Sequence, residues 1–407
     1  MPDASPRSAA LAVVQRLRAA GFKAYFAGGC VRDELLGRTP SDYDVATDAV
    51  PEQITALFDR TAEVGAHFGV VLVKVHREVI EVATFRADGS YTDARRPDSV
   101  RFSTPLDDAQ RRDFTVNALF LDPGAPADRQ VIDYVGGLAD LKARVLRAVG
   151  DPHQRLAEDH LRALRAVRLA SKLGFTIDAA TCDAISQHAS DLRGVSRERI
   201  GDELRAMMSH PSRADAAQTL ARLGLEPPVF RDGLGTVKVH GLAALPGGAD
   251  FGVCLAAWQL DRGLTLDDRA IEQSVRTLRD ALLLSNREQS DFQHALLGLK
   301  VLRTDWLGAG IAARKRLLAG PLAIGLHLLR ALEPAVAAAV DADARRLAED
   351  GIGIEPPMIL TGDVLVSWGY RPGPAFKAIL SRVYDAQLDG SVKNLEEARE
   401  LVTRLSV

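Results

Sequence analysis

Two acids stand two residues apart in Ser41-Asp42-Tyr43-Asp44, shortly after the glycine pair Gly28-Gly29. Tyr43 to Ala46 reads as a short strand, and on a strand residues two apart face the same side. Asp42 and Asp44 then aim both carboxylates at one spot, with Cα atoms roughly 7 Å apart. Hard Mg²⁺ takes oxygen ligands and is commonly held by one or two carboxylates plus substrate phosphates. Two such ions, about 4 Å apart, activate an attacking hydroxyl and stabilise a leaving pyrophosphate. Asp-x-Asp pairs also occur as turn residues and solvated strand ends, so this pair needs company before it means chemistry.

The glycines supply some. Phe22 to Ala27 reads as a buried strand and Val31 to Leu36 as the first turns of a helix, which puts Gly28-Gly29 at a strand-to-helix turn. Bare backbone N–H groups and a helix start attract phosphate there. Arg32, one turn in, adds a charged fork for phosphate oxygens. Further along, Asp151-Pro152 opens a helix with a side-chain cap and a proline at its first position. On it Asp159, Arg162, Arg165 and Arg168 recur every third residue, a ridge that creeps about 60° around the helix per step. Asp159 and Arg162 are neighbours in this reading, while Arg165 and Arg168 swing towards another part of any ligand. A solvated face with i,i+3 ion pairs is the plain alternative.

Gly28-Gly29-Cys30-Val31-Arg32-Asp33, then Asp42-Tyr43-Asp44, then Arg111-Arg112-Asp113-Phe114-Thr115-Val116-Asn117-Ala118 resembles the head-domain pattern of bacterial-type (class II) tRNA nucleotidyltransferases and their poly(A) polymerase relatives. Glu158-Asp159-His160-Leu161-Arg162-Ala163-Leu164-Arg165 looks like the family's nucleobase-selecting helix, and Glu198 to Leu204 like the segment after it. Thr361-Gly362-Asp363 and Arg371-Pro372-Gly373-Pro374 resemble its C-terminal tail. The similarity is dense through about residue 208, thin in the middle and recognisable again near the end.

The resemblance implies roles. Asp42 and Asp44 are the catalytic, Mg²⁺-holding acids. Gly29, Arg32 and Arg112 hold the nucleotide, with Arg111 as helper and Asn117 at the ribose. Asp159, Arg162, Arg165 and Arg168 complete the nucleotide-binding set and select the base. A carboxylate only accepts hydrogen bonds and a guanidinium only donates them. Asp159 taking the exocyclic amine and Arg162 giving to the ring nitrogen suits both cytosine and adenine. Uracil and guanine present the reverse order, and an unmet buried partner costs roughly 1–3 kcal/mol or more. Glu81, in an otherwise apolar strand, is either a third acid near the metals or a paired structural glutamate. Asp88 to Asp98, rich in Gly, Ser, Pro and charge, reads as a mobile loop. It resembles the loop that lets family members add the final A, and so argues against a pure CC-adding enzyme.

Composition sets the frame. At 407 residues the chain suggests two to four domains, and 47% hydrophobic content is ample for their cores. A net charge of −3 gives no sign of a nucleic-acid partner, so any positive surface for tRNA must be local. Cys30, Cys182 and Cys254 have no zinc-like spacing and leave an odd thiol, which fits a reduced compartment. Neither a signal-peptide core nor a stretch of roughly 20 apolar residues is expected.

The expected fold class is α+β. A nucleotidyltransferase-type head with a mixed sheet and packed helices (1–150) precedes an all-helical neck (151–212), body (213–355) and tail (356–407). Within the body, Leu255 to Asp261 lacks an adjacent His-Asp pair and His240 stands isolated, so it reads as a structural scaffold without a second active site. Arg314-Lys315-Arg316 and Arg345-Arg346 are candidate phosphate contacts or simply solvated helix faces.

The expected activity is cytoplasmic, template-independent addition or repair of the tRNA 3′-CCA end from CTP and ATP, with tRNA as partner and no membrane or protein partner implied. Its alternatives are poly(A) polymerase and A-only or CC-only addition. A third, of another class, is a non-catalytic RNA-binding protein on the same scaffold.

Overall fold

Buried side chains at alternate positions build the sheet that carries the paired acids. The structure, a computed structural model, describes residues 5–63, 69–89, 99–236 and 238–405. The chain divides into two compact units, Met1–Glu203 with Thr219–Val229, and Leu204–Gln218 with Phe230–Val407.

The first unit runs α1 (Pro6–Ala19), β1 (Ala24–Ala27), α2 (Gly29–Leu35), β2 (Asp44–Thr47), α3 (Pro51–Leu57), β3 (Thr61–Glu63), β4 (Val70–Val75) and β5 (Glu78–Thr84). It continues with β6 (Arg86–Asp88), β7 (Val100–Phe102), α4 (Pro105–Gln110), β8 (Phe120–Leu121), β9 (Val131–Ile132), α5 (Gly137–Ala143) and β10 (Val145–Leu146). Then come α6 (Pro152–Glu158), α7 (Arg162–Leu173), β11 (Thr176–Ile177), α8 (Ala179–Gln187) and the start of α9 (Arg197–Met208).

The main sheet has the order β3-β4-β5-β2-β1-β8-β9 and is mixed: β2 and β5 are parallel, and every other neighbouring pair is antiparallel. On one face Phe26, Val45, Val71, Val73 and Val82 are buried, and α1 covers the same strands with Val13, Val14 and Leu17. On the other face Ala27, Ala46, Phe85 and Phe120 pack with Ala109, Ala118 and Val149. Ala27 and Asp44 are paired across β1 and β2, so Asp44 opens onto this second face at the start of its strand.

The β signals do fade beyond residue 150 as expected, leaving only the short β11 among the described residues. One helix does not follow the expectation. The ridge from Asp159 to Arg168 is not on a continuous helix, because α6 ends at Glu158 and Asp159 adopts extended backbone (φ −151°, ψ 102°). Its side-chain Oδ1 accepts from the Leu161 N–H at 3.0 Å. A short acidic side chain that bonds the backbone nearby competes with the helix ladder, and here it sets the entry to α7.

The second unit is helical: the rest of α9, then α10 (Arg213–Arg222), α11 (Glu226–Phe230), α12 (His240–Ala244), α13 (Phe251–Asp261), α14 (Asp268–Leu282), α15 (Asn286–Thr304), α16 (Ile311–Ala319), α17 (Gly325–Leu332) and α18 (Pro334–Ala348). It closes with α19 (Gly362–Ser367), α20 (Pro374–Leu388) and α21 (Leu395–Leu405), which share a core of Leu360, Leu365, Val383, Val392, Ala398 and Val402. Parts of α10 and α11 belong to the first unit. In α13 the buried Asp261 accepts from the Gly241 and Leu242 N–H groups at 3.0 and 2.9 Å, so it closes the start of α12.

The triplet Arg314-Lys315-Arg316 is internally paired. Lys315 is fully buried and bonds Asp350 at 2.6 Å, Arg314 bonds Asp343 at 2.6 Å, and Arg316 bonds Asp385. These cations fasten α16 to its neighbours. Arg346, by contrast, pairs with Asp343 while keeping its side chain 78% exposed.

Glu288 closes a capping box with Ser285 at the start of α15 and accepts from Arg205 Nε and NH2 at 2.7 and 3.0 Å. The Arg205 hydrogen bonds draw its carboxyl down to about 2. The unfolded value is about 4.3. A depressed folded value gives stability that is present in full above the unfolded value and lost as pH falls towards the folded one. Glu288→Gln should therefore lower the melting temperature by a few degrees at pH 7. The gap to wild type should stay constant above about pH 5 and shrink as pH falls from about 4.5 towards 2, which a pH series of thermal melts reads directly.

Candidate active site

The site grows from the turn after β1. Gly28 has φ +76° and ψ −128°, a conformation that favours glycine. A Cβ built there would lie 2.9 Å from Arg112 NH1, so the missing side chain also lets a guanidinium rest on the backbone. Gly29 begins α2. Asp42 and Asp44 flank the buried Tyr43, whose ring meets Phe26 edge-on at 5.3 Å, and both acids stay open to solvent. The strand begins at Asp44, so Asp42 sits just ahead of it.

Asp44 is paired in register with Glu81 of β5, which is likewise exposed. Desolvation, then the charges of Glu81 and Asp42, push the Asp44 carboxyl up to about 6, with Arg112 acting in the opposite direction. Two acids thus act on Asp44, and Arg112 opposes them. Glu81 contributes field at this spot, but among the described residues no group of three or more His, Cys, Asp or Glu side chains forms a ready metal cage. The arrangement suits a hard cation whose remaining oxygens come from a substrate.

The two adjacent arginines share one anchor. Asp108, in α4, is 1% exposed. Its Oδ1 accepts from Arg111 Nε and NH2 at 2.8 and 2.6 Å, and its Oδ2 from Arg112 Nε and NH2 at 3.2 and 3.1 Å. Arg112 NH1 donates to the Asn117 carbonyl at 3.0 Å, and its guanidinium lies 5.1 Å from the Phe120 ring centroid. The sequence reading missed Asp108. Its signal was the spacing, since an acid three and four residues before two arginines reaches both on a helical turn.

Arg32 is buried, and its fork is already engaged: Nε and NH2 donate to Asp33 at 2.8 and 2.9 Å, and NH1 to Asn117 Oδ1 at 2.6 Å. Asn117 Nδ2 donates to Asp113 Oδ1 at 3.2 Å, and Asp113 Oδ2 accepts from Arg165 Nε and NH2 at 3.0 and 2.6 Å. Arg165 holds the Asp113 carboxyl below the usual range against the burial that would raise it. An unbroken chain of bonds therefore leads from the glycine turn to α7.

The residues expected to meet the base each have their own partner. Asp159 Oδ2 accepts from Arg199 NH2 of α9 at 2.6 Å. Arg162 donates from NH1 to Glu158 at 2.5 Å and to the Arg155 carbonyl at 2.6 Å, and from NH2 to the Arg111 carbonyl at 3.4 Å. Arg168 pairs with Glu203 at 2.6 Å. Asp159 and Arg162 are close in the chain yet not bonded to each other through their side chains. Arg162 and Arg165 reach the 111–113 segment, whereas Arg168 turns to α9. A cavity of about 220 Å³ opens beside them, lined by Gly89, Gln110, Arg111, Gln154, Arg155 and Glu158 among others. Of the stretch 88–98, expected to be mobile, residues 90–98 lie outside the described residues.

Residues 24–147 match the family model of the poly A polymerase head domain, and residues 174–233 that of the probable RNA and SrmB-binding site of polymerase A. The CCA-adding enzyme of Levilactobacillus brevis is 35% identical over 95% of this chain and 94% of its own length. The chain belongs to the CCA-adding enzyme family. The Bacillus subtilis CCA-adding enzyme is 45% identical over 54% of this chain and 55% of its own. Among solved structures, the Bacillus stearothermophilus CCA-adding enzyme in complex with CTP superposes with a TM-score of 0.79 at 29% identity, covering 99% of this chain and 98% of that one. Membership of the CCA-adding enzymes accounts for the mixed-sheet head followed by helices. No helix among the described residues is long and apolar enough to cross a membrane.

Proposed function

We propose that this chain builds or repairs the 3′-terminal CCA of tRNA from CTP and ATP, without a nucleic-acid template, in the cytoplasm. The tRNA 3′-hydroxyl attacks the α-phosphate and pyrophosphate leaves. What carries the reading is the meeting of Asp44, Glu81 and Asp42 with Arg112 at the glycine turn. A cluster of acids short of positive charge fits a divalent cation, and we take it to be Mg²⁺, held by Asp42 and Asp44. When bound it activates the hydroxyl and steadies the departing pyrophosphate.

The chain's own residues do the rest. Gly28 and Gly29 let the backbone approach the phosphates, Arg112 grips them, and Arg32, through Asn117 and Asp113, fixes Arg165. Asp159 accepts from the exocyclic amine of C or A, and Arg162 donates to the ring nitrogen beside it. Arg168 supports this group through Glu203. The division into head (1–150), neck (151–212), body (213–355) and tail (356–407) belongs to the same reading, with tRNA held by the helical segments.

The test is an incorporation assay with tRNA ending at the discriminator base, at C, or at CC. CTP alone should extend the first substrate by two residues, ATP alone should add one A only to the CC end, and both should restore CCA. Long A ladders on RNA lacking tRNA shape would convert the reading to poly(A) synthesis. No pyrophosphate release with any nucleotide would leave only an RNA-binding scaffold.

A further inference from the structure

We propose that Asp108 is the positioning residue for the triphosphate grip: its buried carboxylate sets the orientation of Arg112 by bridging it to Arg111. This deepens the functional reading and rests on Arg112 meeting the nucleotide's phosphates. Each carboxylate oxygen takes one arginine through Nε and NH2. Arg112 then gives one NH1 proton to the Asn117 carbonyl. One N–H is left on each of its terminal nitrogens, free to meet phosphate oxygens. That guanidinium lies against Gly28 and acts on Asp44.

Two effects compete on removing the charge. Asp108 cancels one of two positive charges beside the site, so its loss strengthens the general attraction for a polyphosphate. It also frees the fork, because an amide cannot serve both arginines: Asn Oδ1 accepts from one while its NH₂ faces the N–H groups of the other. A positioned contact outweighs a loose extra charge in an open, screened site, so binding should weaken.

Asp108→Asn should raise KM for CTP and ATP alike by about tenfold, leave KM for tRNA unchanged, and weaken inhibition by pyrophosphate by the same factor. Inorganic pyrophosphate titrated calorimetrically onto the whole protein reads the grip without any reaction. The double variant Asp108→Asn with Arg111→Gln restores complementarity, since Gln accepts from the Asn NH₂ and frees its oxygen for Arg112, and it should recover most of the lost affinity. A merely structural role would not produce that recovery. All variants are compared well below the lowest melting point, with Arg111→Gln alone as control. Nucleotide KM and pyrophosphate affinity equal to wild type, or a double variant no better than Asp108→Asn, overturns the proposal. If wild type incorporates neither nucleotide but the pyrophosphate pattern holds, the functional reading falls and the role of Asp108 stands.

Discussion

Asp42→Ala and Asp44→Asn each reduce nucleotide incorporation by about 10³-fold or more, a loss of roughly 4 kcal/mol of transition-state stabilisation, while tRNA binding stays within about twofold of wild type. The expectation follows from charge. Asp44 is already crowded by Glu81 and Asp42, with only Arg112 in opposition. A site of that kind gains its counter-charge when a divalent cation arrives with the nucleotide, and removing either aspartate takes away one of the two proposed ligands. Glu81→Gln should cost far less, because it acts on Asp44 through space and is not one of the two proposed ligands. The measurements are single-turnover incorporation and, separately, a filter-binding isotherm for tRNA. Incorporation surviving Asp42→Ala in protein free of contaminating enzyme would remove the metal assignment. A parallel loss of tRNA affinity would point instead to misfolding of the head.

The sheet of the first unit was legible because its signals are local. Alternating burial around Phe26 and Val45 and a glycine pair at the strand end lie within a short stretch, where strand geometry dictates which side chains share a face, although the strand starts only at Asp44 and leaves Asp42 ahead of it. The neck was legible in content and not in shape. Arginine spacing runs evenly through Asp159 even though the backbone leaves the helix there, and no glycine or proline marks the break. The cause is a side chain bonding its own neighbourhood, assisted by Arg199, and a helical period is blind to both.

Long-range partners were harder still. Arg165 finds Asp113, Arg168 finds Glu203, and the body's basic triplet finds three separate acids. Nothing short of the fold brings those positions together. Of the pairs that shape the site, the short-range ones lie within a turn or so of chain, namely the Asp108 contacts with Arg111 and Arg112, Arg32 with Asp33, Asn117 with Asp113, and Arg162 with Glu158.

Loss of Asp159, the proposed base-reading acid, should change what is added as well as how fast. With Asp159→Ala, kcat/KM for CTP and ATP should fall by about 10²-fold, and the preference for CTP over UTP should shrink by at least about tenfold. The geometry gives the reason. Asp159 uses one oxygen on the Leu161 N–H and the other on Arg199, and each oxygen keeps a lone pair for an amine. Arg162 retains its Nε–H and one NH2 proton after bonding Glu158 and the Arg155 and Arg111 carbonyls. On the proposed reading the acceptor–donor order offered to the base is thus set by groups that are themselves fixed, which is what rejection of the reversed order in uracil requires.

Arg199→Gln separates reading from support. It loosens one oxygen of Asp159 but leaves the acid in place, so both nucleotides should lose affinity by a similar and smaller factor while the CTP-to-UTP ratio is kept. Competition between CTP and UTP on tRNA ending at the discriminator base measures that ratio in each variant. If Asp159→Ala slows incorporation without moving it, Asp159 only shapes the turn into α7, and base choice must reside in other groups around the cleft.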